Sequence, residues 1–422
     1  MNRKLLQCKE YMYLLSAQAI SNLGDWLDIL ALLALVGLKW HGSPIAVSIT
    51  MLCLAVPSIV FGSFAGVLAD RFERKHLMIA ADILRAVIVI GVAFSTQLWQ
   101  VYALLCVKSL FAAVFEPAKE GKLKEIVDDE LMQPAVATSE LINNGAKIVG
   151  PIISGLLVAG IGIQWSFYLD SLSFLASAAL LLGVPKSVKR AKVSVEASEA
   201  SASLIGQFKA GFTFMKKIPA LLTGLIVFAV MILVLQLGDS QFVVLLREIP
   251  GDPIHVLGWI MAGSGAGVVI ASLYLNKKEI RSCLTALTLA SAGLGAGYIM
   301  AGLCIHLPML WVSILYPAAG IVFGFCFGMG LIPFNVMAQK LTPSDYTGRV
   351  FGTISSVTTL AAVTGMLGGG FLTEWFGVVN TYVISGGLLV LIGVIVYSFR
   401  KRMQGGEINA KGDAGPHREA QG

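Results

Sequence analysis

Charged residues are scarce in this sequence, at 13% of 422 residues, whereas 56% are hydrophobic. Soluble domains are about 25% charged, so the composition excludes an ordinary soluble domain and predicts that most of the surface faces lipid. The six cysteines and five histidines are scattered, without the close spacing that a metal site requires. A glycine-rich phosphate-binding loop ending in Gly-Lys-Ser/Thr is missing too. We therefore expect no metal, no cofactor, no enzymatic activity and no use of ATP.

Long apolar runs are abundant instead. A membrane-spanning helix needs roughly 20 apolar residues, and the sequence holds about twelve such runs. Hydrocarbon offers backbone groups no hydrogen-bond partner, so helices are the economical way to bury these runs. The sequence predicts an all-α membrane protein with twelve transmembrane helices, near residues 11–38, 44–69, 77–96, 98–116, 138–160, 164–184, 218–245, 254–275, 282–303, 308–331, 350–372 and 377–399.

Basic residues are distributed unevenly between the loops of this predicted arrangement. With the N-terminus in the cytoplasm, about 26 of the 31 Lys and Arg fall in inner loops and tails. The outer loops then contain only Lys39 and Arg247. This asymmetry follows the positive-inside rule, so the net charge of +6 indicates orientation and not a nucleic-acid partner. We expect a multi-pass protein of the inner or plasma membrane, surrounded by lipid, with both termini cytoplasmic.

One long polar segment, residues 186–217, interrupts the apolar runs, with six runs before it and six after it. The Phe and Lys residues near its end predict a helix lying at the inner membrane interface. We expect an N-terminal six-helix bundle at 1–185, this cytoplasmic linker, and a C-terminal six-helix bundle at 218–402. The polar, Gly-rich tail at 403–422 is predicted to be disordered.

Short sequence repeats relate the two predicted halves. Leu23-Gly24-Asp25 in the first run recurs as Leu237-Gly238-Asp239 in the seventh. Gly150 and Gly155 in the fifth run correspond to Gly365 and Gly370 in the eleventh, at nearly the same offset along the chain. Matches at nearly one offset indicate an internal duplication, which predicts two parallel bundles with similar folds around a central cavity.

The turn between the second and third runs carries the most specific motif. It begins with a glycine, and its motif residues are Gly66, Asp70, Arg71, Arg74 and Lys75. This turn resembles the loop-2/3 signature of the major facilitator superfamily of secondary transporters, although Glu73 stands where that family usually has glycine. The resemblance implies that these residues act as a conformational latch. A simple positive-inside anchor is the alternative.

A second motif lies in the fifth run. Its residues Gly145, Gly150, Pro151 and Gly155 resemble the fifth-helix signature of exporters and antiporters in the same superfamily, with Ala146 and Ser154 in place of two usual glycines. Small residues on one stripe permit close helix approach, and Pro151 introduces a bend. The alternative is that the stripe serves packing alone.

Two further segments, 115–127 and 345–351, resemble the branch of the superfamily that contains macrolide-efflux proteins and enterobactin exporters. The resemblance implies a twelve-helix secondary transporter that functions as a monomer. We expect proton-coupled efflux of amphipathic, drug-like or macrolide-like small molecules by alternating access. A lysophospholipid or siderophore transporter with the same fold is one alternative, and a non-transporting membrane scaffold or sensor is another.

Charged and polar residues inside the runs are the candidates for proton and substrate contact. A charge within a span is costly, so it usually faces a partner or water. Asp25 and Asp239 lie in the two runs that line the central cavity in this superfamily, and one of them is expected to take up a proton. Lys147, Gln236 and Gln241 are expected to contact substrate. The alternative for each of these residues is a fixed hydrogen bond or ion pair between helices.

Asp82 and Arg85 stand three residues apart in the third run. Residues at this spacing share one helix face, so we predict a structural charge pair. Asp28 lies three residues after Asp25 and could share its face, or it could instead meet water in the outer half of its helix.

Overall fold

The computed structural model describes Leu5 and residues 7–185, 211–249, 253–277, 282–306, 308–343 and 346–412. Most of the predicted linker, residues 186–210, lies outside the described residues, as do residues 413–422. The last helix extends to Gly412, into the segment that the sequence assigned to the tail. The described part of the chain is helical and contains no strand.

Twelve long helices follow one another along the described chain. The first, α1, ends at Leu32 and continues as a π-helical segment to Lys39, and a short helix, Phe242–Leu246, follows α7. The twelve are α1 Lys9–Leu32, α2 Pro44–Arg71, α3 Arg74–Ala93, α4 Leu98–Ile126, α5 Asp129–Ile161, α6 Ile163–Leu182, α7 Pro219–Asp239, α8 Pro253–Lys277, α9 Cys283–Leu303, α10 Met309–Leu341, α11 Thr347–Phe376 and α12 Val378–Gly412.

Eleven of these helices are long and apolar enough to span a membrane, counted over the described residues. In α5 the corresponding apolar stretch is shorter, Val149–Ile161. The structure thus confirms the predicted fold class, an all-α membrane protein made of two related bundles.

Local sequence signals set several helix ends. Ser43 caps α2 by accepting a hydrogen bond from the Ala46 amide at 3.2 Å, with Pro44 at the first helical position. Gly162 ends α5 and Gly377 ends α11, with φ of 87° and 82°. Only glycine adopts this backbone conformation readily. These two glycines are separated by the same offset as the repeated glycines of α5 and α11. The internal repeat therefore includes the glycines at which these two helices end.

The helices form two bundles, α1–α6 and α7–α12. In the first bundle α1 packs on α5 and α6, and α3 packs between α4 and α6. In the second, α7 packs on α11 and α12, and α8 packs on α10. The bundles contact each other mainly through α2 against α11 and α5 against α8.

Hydrogen bonds join the two bundles at one end of the molecule. Arg247 donates to the carbonyl oxygens of Gly37 at 2.5 Å and Gly42 at 2.6 Å. Gln241 donates to the Ser48 hydroxyl at 2.9 Å, which donates to the Met366 carbonyl at 2.8 Å. We call this end the closed face and the opposite end, where α2 turns into α3, the linker face. All the hydrogen bonds described between the bundles lie at the closed face.

Candidate functional site

A cluster of six charged side chains lies within the first bundle, and Lys108 of α4 is its centre. The Lys108 ammonium is 2.7 Å from Asp28, 3.1 Å from Asp25 and 3.9 Å from Asp170. Asp25 and Asp28 come from α1, and Asp170 comes from α6. Lys108, Asp28 and Asp170 are buried, whereas the Asp25 side chain is 38% exposed. One ammonium thus lies within 4 Å of three carboxylates, and one of them, Asp25, is partly exposed.

Arg85 of α3 is the second cation of the cluster. It donates to Asp82 in a short ion pair, and its nitrogens also reach Ser21 at 3.3 Å and Asp25 at 3.6 Å. Ser177 donates to the second oxygen of Asp82 at 2.6 Å. The predicted pairing of Asp82 with Arg85 is therefore present, and Asp82 is the fully partnered carboxylate of the cluster.

Aromatic rings cover the cationic side of the cluster. The Arg85 guanidinium lies 4.3 Å from the centre of the Phe174 ring and 4.9 Å from that of Phe115. The Lys108 ammonium lies 5.3 Å from the Phe174 centre. A cation over a desolvated aromatic face gains about 2 kcal/mol, so these rings help to hold two cations in a place that water scarcely reaches.

Counted over the described side chains, the cluster carries more negative than positive groups. Four aspartates, Asp25, Asp28, Asp82 and Asp170, are arranged around two cations, Lys108 and Arg85. Full ionisation would leave an excess of two negative charges, three of the four carboxylates being buried. A buried charge without a partner costs several kcal/mol. Protonation of one carboxyl group would therefore lower the electrostatic energy of the cluster.

Gly24 allows the first bundle to bring these acids together. A Cβ at position 24 would overlap the Asp170 carboxylate and the Ser173 hydroxyl of α6. The glycine of the repeated Leu-Gly-Asp triplet thus lets α6 place Asp170 against α1. Its counterpart Gly238 accommodates the ring of Tyr298 instead.

The second bundle has aromatic residues where the first has charges. At close to the offset of the repeated triplets, Arg85, Lys108 and Asp170 of the first half are followed in the second by Tyr298, Phe323 and Tyr382. The Tyr298 ring centre is 5.4 Å from that of Phe323 and 4.9 Å from that of Tyr382. Within the described residues, the duplicated chain thus carries its buried charge cluster in one bundle only.

Three of the remaining cavity candidates, Asp239, Gln236 and Gln241, lie apart from the cluster. Asp239 is exposed at the end of α7, next to Gly238, which lies against the Tyr298 ring. Gln236 is half-buried against α11. Gln241 is buried at the closed face, where it bonds Ser48. The side chain of Lys147, in α5, is outside the described part of the structure.

The predicted latch residues lie at the linker face. Arg74 pairs with Glu125 of α4 at 2.7 Å, and Lys75 donates to the Leu182 carbonyl of α6 at 2.8 Å. Arg71 is exposed, and a Cβ at Gly66 would meet open space. The Asp70 side chain is among those that the structure does not describe. The described contacts of Arg74 and Lys75 join helices within the first bundle.

The glycines of the fifth-helix motif have different surroundings. Gly150 packs on the Trp26 ring of α1, and Gly155 meets the backbone of Gly258 in α8 across the two bundles. A Cβ at Gly145 would have open space around it. Pro151 lies inside α5, which remains one helix through it.

Sequence reasoning missed Asp170. It lies in the middle of the predicted run 164–184, and the rule that an intramembrane acid is functional would have selected it. Repeated motifs indicate only those acids that have a counterpart in the other half, such as Asp25 and Asp239. Asp170 has none, since Tyr382 occupies the corresponding region.

Comparisons with known proteins agree with this architecture. The family model described as Major Facilitator Superfamily matches residues 14–366 and 318–420. The MFS-type transporter YfiS of Bacillus subtilis (strain 168) is 40% identical over 93% of this chain and 94% of its own. Macrolide efflux protein A of Streptococcus pyogenes is 25% identical, covering 84% of this chain and 87% of its own.

More distant relatives extend the same picture. Multidrug efflux pump Tap of Mycolicibacterium fortuitum is 24% identical over 91% of this chain and 94% of its own. Among solved structures, the nucleoside transporter NupG superposes with a TM-score of 0.67 at 16% identity, covering 95% of this chain and 100% of its own. The two related helical bundles, the match to the family model and the similarity to these relatives lead to one conclusion. The chain belongs to the major facilitator superfamily and is a multi-pass membrane transporter of that family.

Proposed function

We propose that this transporter exports amphipathic small molecules in exchange for protons. The observation that carries the proposal is the imbalance of the charge cluster, four carboxylates against two cations, with Asp25 as its partly exposed member. A group that exchanges protons must be reachable from water in one state and must tolerate both protonation states. Asp25, as the partly exposed carboxylate, would connect the buried cluster to water.

The position of Lys108 favours a proton over an alkali cation as the coupling ion. Its ammonium stands within 4 Å of three of the carboxylates. A sodium ion bound to the same oxygens would be repelled by that fixed positive charge. A proton avoids this conflict because it neutralises one carboxyl group and requires no set of ligands.

Relatives and exposed charges favour amphipathic substrates. Macrolide efflux protein A and multidrug efflux pump Tap are similar to this chain over most of its length. The accessible acids Asp25 and Asp239 lie in α1 and α7, the first helices of the two bundles. We propose that both face the space between the bundles, where they attract a positively charged or hydrogen-bond-donating group. Gln236 and Lys147 complete the proposed substrate contacts.

The contacts between the bundles and the distribution of basic residues support a proposal for the conformation and the membrane orientation. The bundles are joined at the closed face, so we propose that the cavity opens towards the linker face. The positive-inside rule assigns that face to the cytoplasm, with the chain working as a monomer in the cell membrane. In this state Gly66, Asp70, Arg71, Arg74 and Lys75 would form the proposed latch, with Arg74 and Lys75 fixing the base of the first bundle.

Drug tolerance tests the function directly. The protein would be overproduced in a bacterial host that lacks its own efflux pumps, and growth would be measured against macrolides and cationic dyes. Wild type should raise the tolerated concentration of at least one compound, and Asp25→Asn should lose that gain. Asp128→Asn, an exposed acid at the linker face, serves as the matched control. Equal sensitivity of wild type and empty vector to every compound would count against drug export.

A further inference from the structure

Asp170 is a buried acid for which the described residues provide no cation of its own. Its side chain is inaccessible to solvent, and its Oδ2 has no hydrogen-bond partner among the described atoms. Lys108 lies 3.9 Å from that oxygen but only 2.7 Å from Asp28. Arg85 is engaged by Asp82. The two cations of the cluster are thus committed to other carboxylates.

The contacts of Ser173 are compatible with a proton on the Asp170 carboxyl group. The Ser173 hydroxyl lies 2.7 Å from the Asp170 carbonyl oxygen and 3.3 Å from Asp170 Oδ1. A serine hydroxyl has one hydrogen to donate and can also accept. With that hydrogen on the nearer carbonyl, the contact to Oδ1 becomes a hydrogen bond when the carboxyl group itself donates.

From this geometry we propose that Asp170 carries the exchanged proton of the transport cycle, while Asp28 is the fixed counter-ion of Lys108. This inference rests on the proposed proton-coupled function and assigns its site. Among the described residues, the charged groups around Asp170 are Asp25 and Asp28 of α1, Arg85 of α3 and Lys108 of α4, and Asp82 of α3 is paired with Arg85. In α5, the side chains of Glu140 and Lys147 lie beyond the described part.

The arrangement links proton release to substrate binding. When the carboxyl O–H bond of Asp170 breaks, its proton passes by way of Asp25 to water, and Asp170 becomes a carboxylate. That carboxylate draws Lys108, which now lies 3.1 Å from Asp25. Asp25 then keeps its 3.6 Å contact with Arg85 but has lost its nearer cation, so it can bind a cationic or hydrogen-bond-donating group. Reprotonation of Asp170 returns Lys108 to Asp25 and displaces the substrate, so proton and substrate exclude each other as antiport requires.

Infrared spectroscopy can detect this proton without any substrate. The purified full chain would be labelled with ¹³C-aspartate and titrated with base, following the C=O stretch of protonated carboxyl groups. We expect one aspartic acid band in the wild type that disappears as the pH rises. The band should be absent in Asp170→Asn and retained in Asp128→Asn. In Asp170→Glu it should return without the isotope shift, because the glutamic acid is unlabelled.

Each result decides the assignment. A titrating band that is unchanged in both Asp170→Asn and Asp170→Glu overturns it. If Asp170→Asn does not fold, the loss of the isotope shift in Asp170→Glu carries the test, and a persisting shift overturns the assignment. A wild type with a titrating Asp170 that raises tolerance to no compound contradicts the export proposal and leaves the proton site standing.

Discussion

Gly24 shows how a single missing side chain shapes the site. It lies against Asp170 and Ser173, whereas Gly238 in the repeated triplet lies against the Tyr298 ring. The triplet therefore preserves one structural feature, close helix approach, and the two bundles use it for different chemistry. The acids after the glycines differ likewise, since Asp25 belongs to an ion cluster and Asp239 is exposed near aromatic residues.

Replacing this glycine should destabilise the protein. Gly24→Ala places a methyl group on Asp170 and Ser173, and overpacking of this kind costs about 1–3 kcal/mol. Gly62→Ala is the matched control, because a methyl group there meets open space and alanine is the better helix former. Thermal unfolding in detergent should show a lower midpoint for Gly24→Ala only. Equal midpoints would show that α6 does not approach α1 this closely.

At the level of single residues, some members of the charge cluster could be predicted from the sequence and others could not. Asp25 and the pairing of Asp82 with Arg85 could be predicted, because a repeat and a helical spacing are local patterns. The partner of Lys108 could not, since it depends on which faces of α1, α4 and α6 meet. Those faces are fixed by packing between helices distant in sequence.

The elements at the closed face indicate how the two bundles are held together there. The π-helical segment Leu33–Lys39 ends α1, and Gly37 within it packs on Val243 and accepts a hydrogen bond from Arg247. π-helical turns often occur at functional sites. Burial lowers the pKa of Arg247 from its ordinary value, but an arginine keeps its charge at physiological pH. The guanidinium can therefore act as a clasp that joins the bundles in this state at any physiological pH.

Removing the clasp should open this face. Arg247→Ala loses both hydrogen bonds to Gly37 and Gly42, so the state closed at this face becomes less populated. Val243→Cys, at a buried position, would report the opening through its rate of reaction with a membrane-impermeant maleimide, with the native cysteines replaced. We expect a several-fold faster reaction in Arg247→Ala and no change in Lys39→Ala. An unchanged rate in Arg247→Ala would mean that other contacts keep the face closed.

The whole molecule is a duplicated fold with an unequal distribution of charge. Helix number, the repeat and the superfamily could be predicted from apolar runs and motifs, because they depend on composition and local order. The face at which the bundles meet could not, since alternating states share one sequence and differ by a few kcal/mol. In the proposed mechanism, the first bundle handles the proton, and the second supplies an aromatic scaffold and the second exposed acid.

Proton movement in reconstituted vesicles tests this account most directly. The purified protein would be placed in liposomes holding a pH-sensitive dye and an imposed pH gradient, and a macrolide found in the tolerance assay would be added. The account predicts that the compound dissipates the gradient in wild type, and that Asp25→Asn and Asp170→Asn abolish this flux while Asp128→Asn does not. Movement of the compound by wild type without any change in the internal pH would contradict it.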